Sequence, residues 1–356
     1  MWPRRELCEL LQIEHPIIQA PMVGSCTPAL AAAVSNAGAM GSLGMGEKSL
    51  AEAEAAITDL QRATNRPVNI NFFIRAKSQT KDTVLQKMRQ HLAPWYDQLG
   101  LGEPPSQLPI LDENFTAEKL DLVCRTAPAV VSFHFGLPDA DAMAALKEAN
   151  IKILSTATNV AEAVELEQLG VDAIIAQGFE AGGHRGSHEL RPAWDAVGGL
   201  ALIPQIVDAV SLPVIAAGGI GDGRGIAAAF ALGAAGVQMG TAFLSTPEAA
   251  TDAARRQLLE DATEQETMMT AMVSGRPARA RRSKFTEEMD RVAAPPTDFI
   301  QQYALTRPII AASDDDTASF HLYGQAARLN RDLPAADLVQ ALAEEAAAVF
   351  AAMRSD

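Results

Sequence analysis

The residues with the most chemistry to offer in this 356-residue chain are histidines set among glycine loops. His184 follows Gly182-Gly183 in AQGFEAGGHRG (176–186), a turn able to aim an imidazole. A group titrating near neutrality there can hydrogen-bond an anion, move a proton, or only hold loop backbone. Residue types alone leave those roles open. His134, in SFHFG (132–136), ends an apolar run and is either a second histidine at the same mouth or a core residue. His188, in a polar loop, reads as solvated. Two further segments, AAGGIGDGRG (216–225) and QMGT (238–241), can bring backbone amides against an anion, with partial positive charge from the helix start beyond, or can serve as tight turns. Neither is a Walker loop, and no HExxH or paired His/Asp spacing suggests a metal. Cys8, Cys26 and Cys124 share no CxxC spacing and read as inert thiols, and no histidine adjoins Cys26 to make it a nucleophile. The basic run Arg276, Arg279, Arg281, Arg282 and Lys284 reads as a solvated face, with anion attraction as the alternative.

Those groups need a scaffold that gathers them. Eight short apolar runs alternate with helical patterns: Ile17–Ala20, Ala39–Leu43, Val68–Phe73, Val130–His134, Lys152–Thr156, Ala173–Gln177, Val214–Ala217 and Gly236–Met239. This alternation predicts βα units and, at eight units, an α/β (β/α)8 TIM barrel with a smaller helical substrate or cap domain. An open doubly wound sheet is the second choice. Thr27-Pro28 supplies a helix start, Asn159 with Glu162 resembles a capping box, and Gly38 and Gly170 mark helix stops. In such a barrel the loops after the strands form the active face, and the glycine segments fall after the seventh and eighth runs, where phosphate sites are common.

The barrel is expected over 1–245 and the helical cap over 246–318, broken at Pro295-Pro296. Residues 319–356 are expected to be C-terminal helices returning to the barrel, with Leu338, Leu342, Ala346, Val349, Phe350 and Met353 on one face. Residues 75–126, with the proline-rich EPPSQLP, read as an insertion on the barrel rather than a domain. Composition agrees with a globular chain: 48% hydrophobic, 21% charged, mean hydropathy +0.04. The net charge of −15 argues against nucleic acid or an anionic membrane as partner. No run approaches 18 apolar residues and the N-terminal segment lacks a signal-peptide core, so a cytoplasmic location is expected.

Taken together, IIQAPM, VNINFF (68–73), SFHFG, AQGFEAGGHRG, AAGGIGDGRG and QMGT resemble the nitronate monooxygenase family, formerly 2-nitropropane dioxygenases, across the whole chain. The resemblance implies an FMN-binding barrel. Its flavin contacts fall on Met22, Asn71 (rather than Asn69), Gln177, Gly182, Gly219, Gln238, Met239, Gly240 and Thr241. Its catalytic histidine falls on His184, with His134 as a second active-site histidine. Tyr303 and Arg307 are the implied substrate groups, and Phe299 and Arg307 stand where relatives carry Tyr and Lys. The implied reaction is oxidation of an alkyl nitronate, such as propionate 3-nitronate, by FMN and O2 to a carbonyl compound and nitrite. Because a nitronate is an anion and the chain is acidic, positive potential has to be local, and His184 is the best-placed source in sequence. An NAD(P)H-dependent quinone or enoyl-thioester reductase is the rival, and a non-enzymatic flavin-binding protein the third class. The quaternary state is left open, a homodimer being compatible with the resemblance.

Overall fold

The computed structural model describes residues 2–46, 48–74, 80–108, 115–189, 196–292 and 294–353. Parts of the expected insertion, 75–79 and 109–114, lie outside the described residues.

Eight parallel strands form the barrel: β1 (Ile17–Gln19), β2 (Gly41–Gly44), β3 (Val68–Phe73), β4 (Val130–His134), β5 (Lys152–Ala157), β6 (Ala173–Gln177), β8 (Val214–Ala217) and β9 (Gly236–Met239). Their spatial order is β1-β9-β8-β6-β5-β4-β3-β2, and a bridge from Ile18 to Met40 brings the last back to the first. Each of the eight apolar runs became one of these strands, so the fold is the expected TIM barrel. Because both faces of each strand are covered, runs such as Val214–Ala217 are apolar throughout rather than alternating, and the polar residues within other strands, Asn69, Asn71, Ser132 and Ser155, are themselves buried. Ile18, Met40, Val130, Leu154, Ile175 and Ile215 point inward, and Leu7, Cys8 and Leu11 of the helix Glu6–Leu11 plug the N-terminal end beneath them. Ile17, Ile70, Phe72, Val131, Phe133 and Ile174 face outward under the helices.

The helix signals hold in most particulars. The Thr27 hydroxyl accepts from Leu30 N at 3.0 Å with Pro28 in the first turn, and Gly170, at φ +81°, follows the helix Val160–Gln168. At Asn159 only half the capping box forms: its side chain accepts from Glu162 N at 2.9 Å, but the Glu162 carboxylate turns elsewhere. That carboxylate accepts from Thr158 N (2.6 Å), the Thr158 hydroxyl (2.8 Å) and His188 N (3.1 Å), pinning two loops below the barrel mouth.

Beyond β9 the cap carries the helices Ala253–Glu260, Lys284–Asp290 and Gln301–Ala312, and with them strands that the sequence did not lead one to expect. β10 (Thr267–Thr270) and β11 (Ala278–Arg281) form an antiparallel hairpin, and β11 also pairs with β7 (Gly183–His184). The hairpin runs were missed because they are short and one of them, Ala-Arg-Ala-Arg, carries two charges. The segment after β3 also reads differently. Its helix Asp82–Gln98 contributes Met88, Leu92, Trp95 and Tyr96 to one core with Met272, Val273, Phe285, Met289, Leu305 and Ile309, so it packs with the cap. The Tyr96 hydroxyl donates to Leu305 O at 2.7 Å.

Residues 319–334 hold a single 3-10 turn, Ala327–Leu329, and only Ala335–Ala352 is an α-helix, so the expected plural helices reduce to one. It packs on the helices Gly223–Ala231 and Pro28–Asn36, the seat that the eighth helix of the barrel has to fill. Leu338, Leu342, Ala346 and Phe350 are buried there, whereas Met353 is 67% exposed, one turn past the end of the groove. The cap is therefore inserted within the last βα unit. Among the described residues no helix is long and apolar enough to cross a membrane.

Candidate active site at the barrel mouth

A cavity of about 350 Å³ lies at the C-terminal ends of the barrel strands, a volume suited to one cofactor-sized molecule. It is lined by Met22, Asn71, His134, Gln177, Gly182, His184, Gly219, Gln238, Met239, Gly240, Thr241 and Tyr303, which the fold brings together from distant parts of the chain. Arg307 is not among the lining residues. It stands one turn beyond Tyr303 on the helix Gln301–Ala312 and is exposed, since that helix commits Gln302, Leu305, Thr306 and Ile309 to the cap core.

One side of the cavity is built to hold an anion. The amides of Gly219, Gly240 and Thr241 have no hydrogen-bond partner among the described residues, and they stand where β8 and β9 end. The helix beyond β8 is not the source of that potential. Its first amides are already taken, Arg224 N and Gly225 N by Asp222 and Gly223 N by Glu345 at 3.0 Å. Nearby, Gln238 Oε1 is buried without a partner, an acceptor awaiting a donor. Asn71 Nδ2 donates to Ser132 O and Oγ at 3.1 and 3.0 Å, while Asn69 lies below, donating to Ser42 Oγ away from the lining. Gly182 lets the segment 322–324 close over this side, because a Cβ there would stand 2.4 Å from the carbonyl carbon of Tyr323 and 2.5 Å from Gly324 N.

The opposite side is centred on His184. Its Nε2 lies 2.9 Å from Ser274 Oγ, and that hydroxyl donates to Arg276 O at 3.2 Å. A hydroxyl has one proton, so Ser274 accepts from Nε2–H and leaves Nδ1 of a neutral imidazole with a bare lone pair. Four phenyl rings surround the imidazole edge to face: Phe299, Phe320, Phe135 and Phe73, with centroids at 5.1, 5.9, 6.0 and 6.4 Å. His134 sits differently. Its Nε2 is 3.1 Å from His184 O, which forces Nε2 to donate, and Nδ1 then accepts from Thr156 Oγ1 at 3.1 Å. Both its nitrogens are spent on protein. Gln177 Nε2 donates to the same His184 carbonyl at 3.0 Å, and its Oε1 accepts from Gly186 N at 2.8 Å.

Sequence reasoning missed Ser274 and misread the basic run. Arg276 is turned inward, its guanidinium 4.1 Å over the Phe135 ring and its Nη1 donating to Ser187 O at 2.9 Å. Arg279, 2% exposed, donates to Phe179 O and to Thr267 Oγ1, and of the five only Arg282 and Lys284 are exposed. An arginine beside Ser-Gly, where the chain turns in, was the only available signal. Phe135 is held at φ +76°, a conformation costly for a bulky residue, which presents its ring to Arg276. His188 is largely enclosed rather than solvated, its Nε2 3.1 Å from Thr156 O.

Electrostatics follow from this enclosure. Burial pushes His184 down to about 3, reinforced by His134 and Arg276, and pushes His134 down to about 4, the His184 carbonyl opposing and Arg276 and His188 adding. Both are neutral at pH 7. Burial lowers Arg276 to about 10, with Glu162 and Asp298 holding it up, so it remains charged. Cys26 is pushed up to about 11 by burial, and its Sγ accepts from Met22 N at 2.7 Å, the environment of an inert thiol. Among the described residues no cluster of three His, Cys, Asp or Glu could hold a metal.

The family model for nitronate monooxygenase matches residues 4–345. The chain belongs to the nitronate monooxygenase family. A nitronate monooxygenase of Paraburkholderia phytofirmans is 44% identical over 348 residues, covering 96% of this chain and 95% of that one. A probable nitronate monooxygenase of Staphylococcus aureus is 41% identical, covering 94% and 95%. Among solved structures, a nitroalkane oxidase from Streptomyces ansochromogenes superposes with a TM-score of 0.88 at 36% identity, covering 98% and 99%. FabK from Thermotoga maritima reaches 0.76 at 28% identity, covering 99% of both chains. Membership makes the chain an oxidoreductase of the monooxygenase type.

Proposed function

We propose that the protein is an FMN-dependent nitronate monooxygenase that uses O2 to convert alkyl nitronates into a carbonyl compound and nitrite. The observation that carries this reading is the pairing, across one cavity, of unpartnered amides at Gly219, Gly240 and Thr241 with a neutral, phenyl-enclosed His184 backed by the Arg276 charge. The amides fit one phosphate, and the Gln238 acceptor, with Met22, Asn71, Gln177, Gly182 and Met239, fits the polar and apolar parts of a flavin ring. When bound, FMN supplies the acceptor for electrons leaving the nitronate carbon and their route to O2.

The remaining work falls to the protein. Arg276 provides the positive potential that an anionic substrate requires, acting through Phe135 rather than by contact. A nitronate against His184 raises the imidazole's depressed pKa, and the proton enters at Nδ1, since Nε2 is tied to Ser274. The phenyl rings exclude water, which strengthens both effects. His134 acts as a positioning residue by fixing the His184 carbonyl, and Tyr303 reaches the same chamber. A base held near 3 removes a carbon-bound proton poorly, so the preformed nitronate is preferred over the neutral nitroalkane.

Heat-released cofactor should chromatograph as FMN, and anaerobic mixing with a nitronate should bleach the flavin while NADH does so slowly. Release of FAD would overturn the FMN assignment, and fast bleaching by NADH with none by nitronates would replace this reading with the reductase one.

A further inference from the structure

We propose that Arg185 and Glu162 are positioning residues for the reaction: two buried side chains of opposite charge that grip Thr158 from either side and so fasten the segment carrying His184 to the ends of β5 and β6. The proposal rests on the reading of His184 as the working imidazole and says what holds it in place.

Arg185 and Glu162 are 7% and 6% exposed, and neither lines the cavity, so both act through other residues. His184 and Arg185 leave the chain in different directions. The imidazole enters the phenyl chamber, whereas the guanidinium goes to the barrel, Nη1 donating to Gln177 O and Nη2 to Thr158 O, each at 3.2 Å. Gln177 is the last residue of β6, and Thr158 directly follows β5. The other polar groups of Thr158 belong to Glu162: its N–H and hydroxyl donate to one carboxylate oxygen at 2.6 and 2.8 Å, and the second oxygen accepts from His188 N at 3.1 Å. Segment 184–188 is therefore fastened to one threonine at both ends, and between them Gly186 N donates to Gln177 Oε1 at 2.8 Å. Ser187 O, the acceptor for Arg276 Nη1, lies in the same segment, so the grip places the imidazole and the cation together. Burial lowers the pKa of Arg185, and Glu162 with Glu180 opposes that, so the carboxylate is its counter-charge as well as its partner at Thr158. Removing one member leaves the other buried and uncompensated, which removing both does not.

Histidine-selective 15N NMR of the holoenzyme reads the imidazole directly, with the His184 signal assigned by its loss in His184→Asn. The wild type should show one neutral tautomer, protonated at Nε2, from pH 8 down to 5. Arg185→Met should give mixed tautomers and a titration moved up toward the ordinary 6.5. It should also lower kcat/KM on a preformed nitronate by about 100-fold, the order that a misplacement near 1 Å costs. Arg185→Lys should recover part of both, since an ammonium returns the charge without the planar fork that reaches two carbonyls. In the double variant Arg185→Met, Glu162→Gln, the loss should be smaller than the product of the two single losses. A wild-type His184 signal in Arg185→Met overturns the proposal, whatever the rate. If Arg185→Met does not fold, Glu162→Gln, the smaller change on the other side of Thr158, decides by the same signal. Should the signal respond as expected while the wild type oxidises no nitronate, the monooxygenase reading fails and the positioning of His184 stands.

Discussion

His184 cannot be the resting cation at the site, because burial keeps it neutral, and Arg276 takes that part. Removing the charge with Arg276→Met should lower kcat/KM on a preformed nitronate by about 10- to 100-fold, chiefly through KM, with FMN content unchanged. Arg276→Lys should recover part of it, since charge returns without the stacked plane. Ser274→Ala frees Nε2 and lets the imidazole change tautomer. The expected cost is about tenfold in kcat, restored by Ser274→Thr, a rescue that would be missing if the hydroxyl only filled space. His184→Asn should cost roughly 10²- to 10³-fold. Steady-state oxygen consumption measures all five variants, and wild-type kinetics in Arg276→Met would remove the guanidinium from the mechanism.

The elements that make the site differ in how plainly the sequence declares them. Barrel strands are short, mostly apolar runs set between helical patterns, so β3, β4, β6, β8 and β9 are legible to the residue. Asn71 and Gln177 within β3 and β6, and Met22 and Gly240 just past β1 and β9, were legible through those strand ends. β7, β10 and β11 were not, because two- and four-residue strands owe their existence to partners far along the chain: Gly183 meets Arg279 only in three dimensions. The same holds for Ser274 and for the inward turn of Arg276, which depend on where the hairpin docks. Long-range closure also makes Gly182 sensitive. Gly182→Ala forces its Cβ into the backbone of Tyr323 and Gly324, which in turn receives Thr241 Oγ1 as acceptor at 2.9 Å. An overpacking cost of about 1–3 kcal/mol is expected, seen as a lower Tm, together with loss of bound FMN measured by absorbance per mole of protein.

Over the whole molecule, burying two neutral histidines ties stability to pH. The folded pKa values of His134 and His184, about 4 and about 3, lie below the ordinary 6.5. Between those values and 6.5 the unfolded chain binds more protons, so their contribution is complete above 6.5 and is lost as pH falls toward 4 and 3. Each group adds a slope of at most about 1.4 kcal/mol per pH unit in that window. Urea unfolding of apoprotein at pH 7, 6 and 5 should show stability dropping steeply, and the double variant His134→Gln, His184→Asn should flatten the drop. An equal drop in both proteins would assign the acid sensitivity to other groups.

The hairpin's pairing with Gly183–His184 also bears on inheritance by recombination. A cap exchanged for another between the eighth strand and the last helix would remove the neighbour that fixes His184 in place, along with Ser274 and Arg276. New substrate ranges in such a lineage are reached more readily by single replacements within the phenyl chamber than by swapping modules. The recipient barrel would otherwise keep its catalytic loop and lose the edge that shapes it.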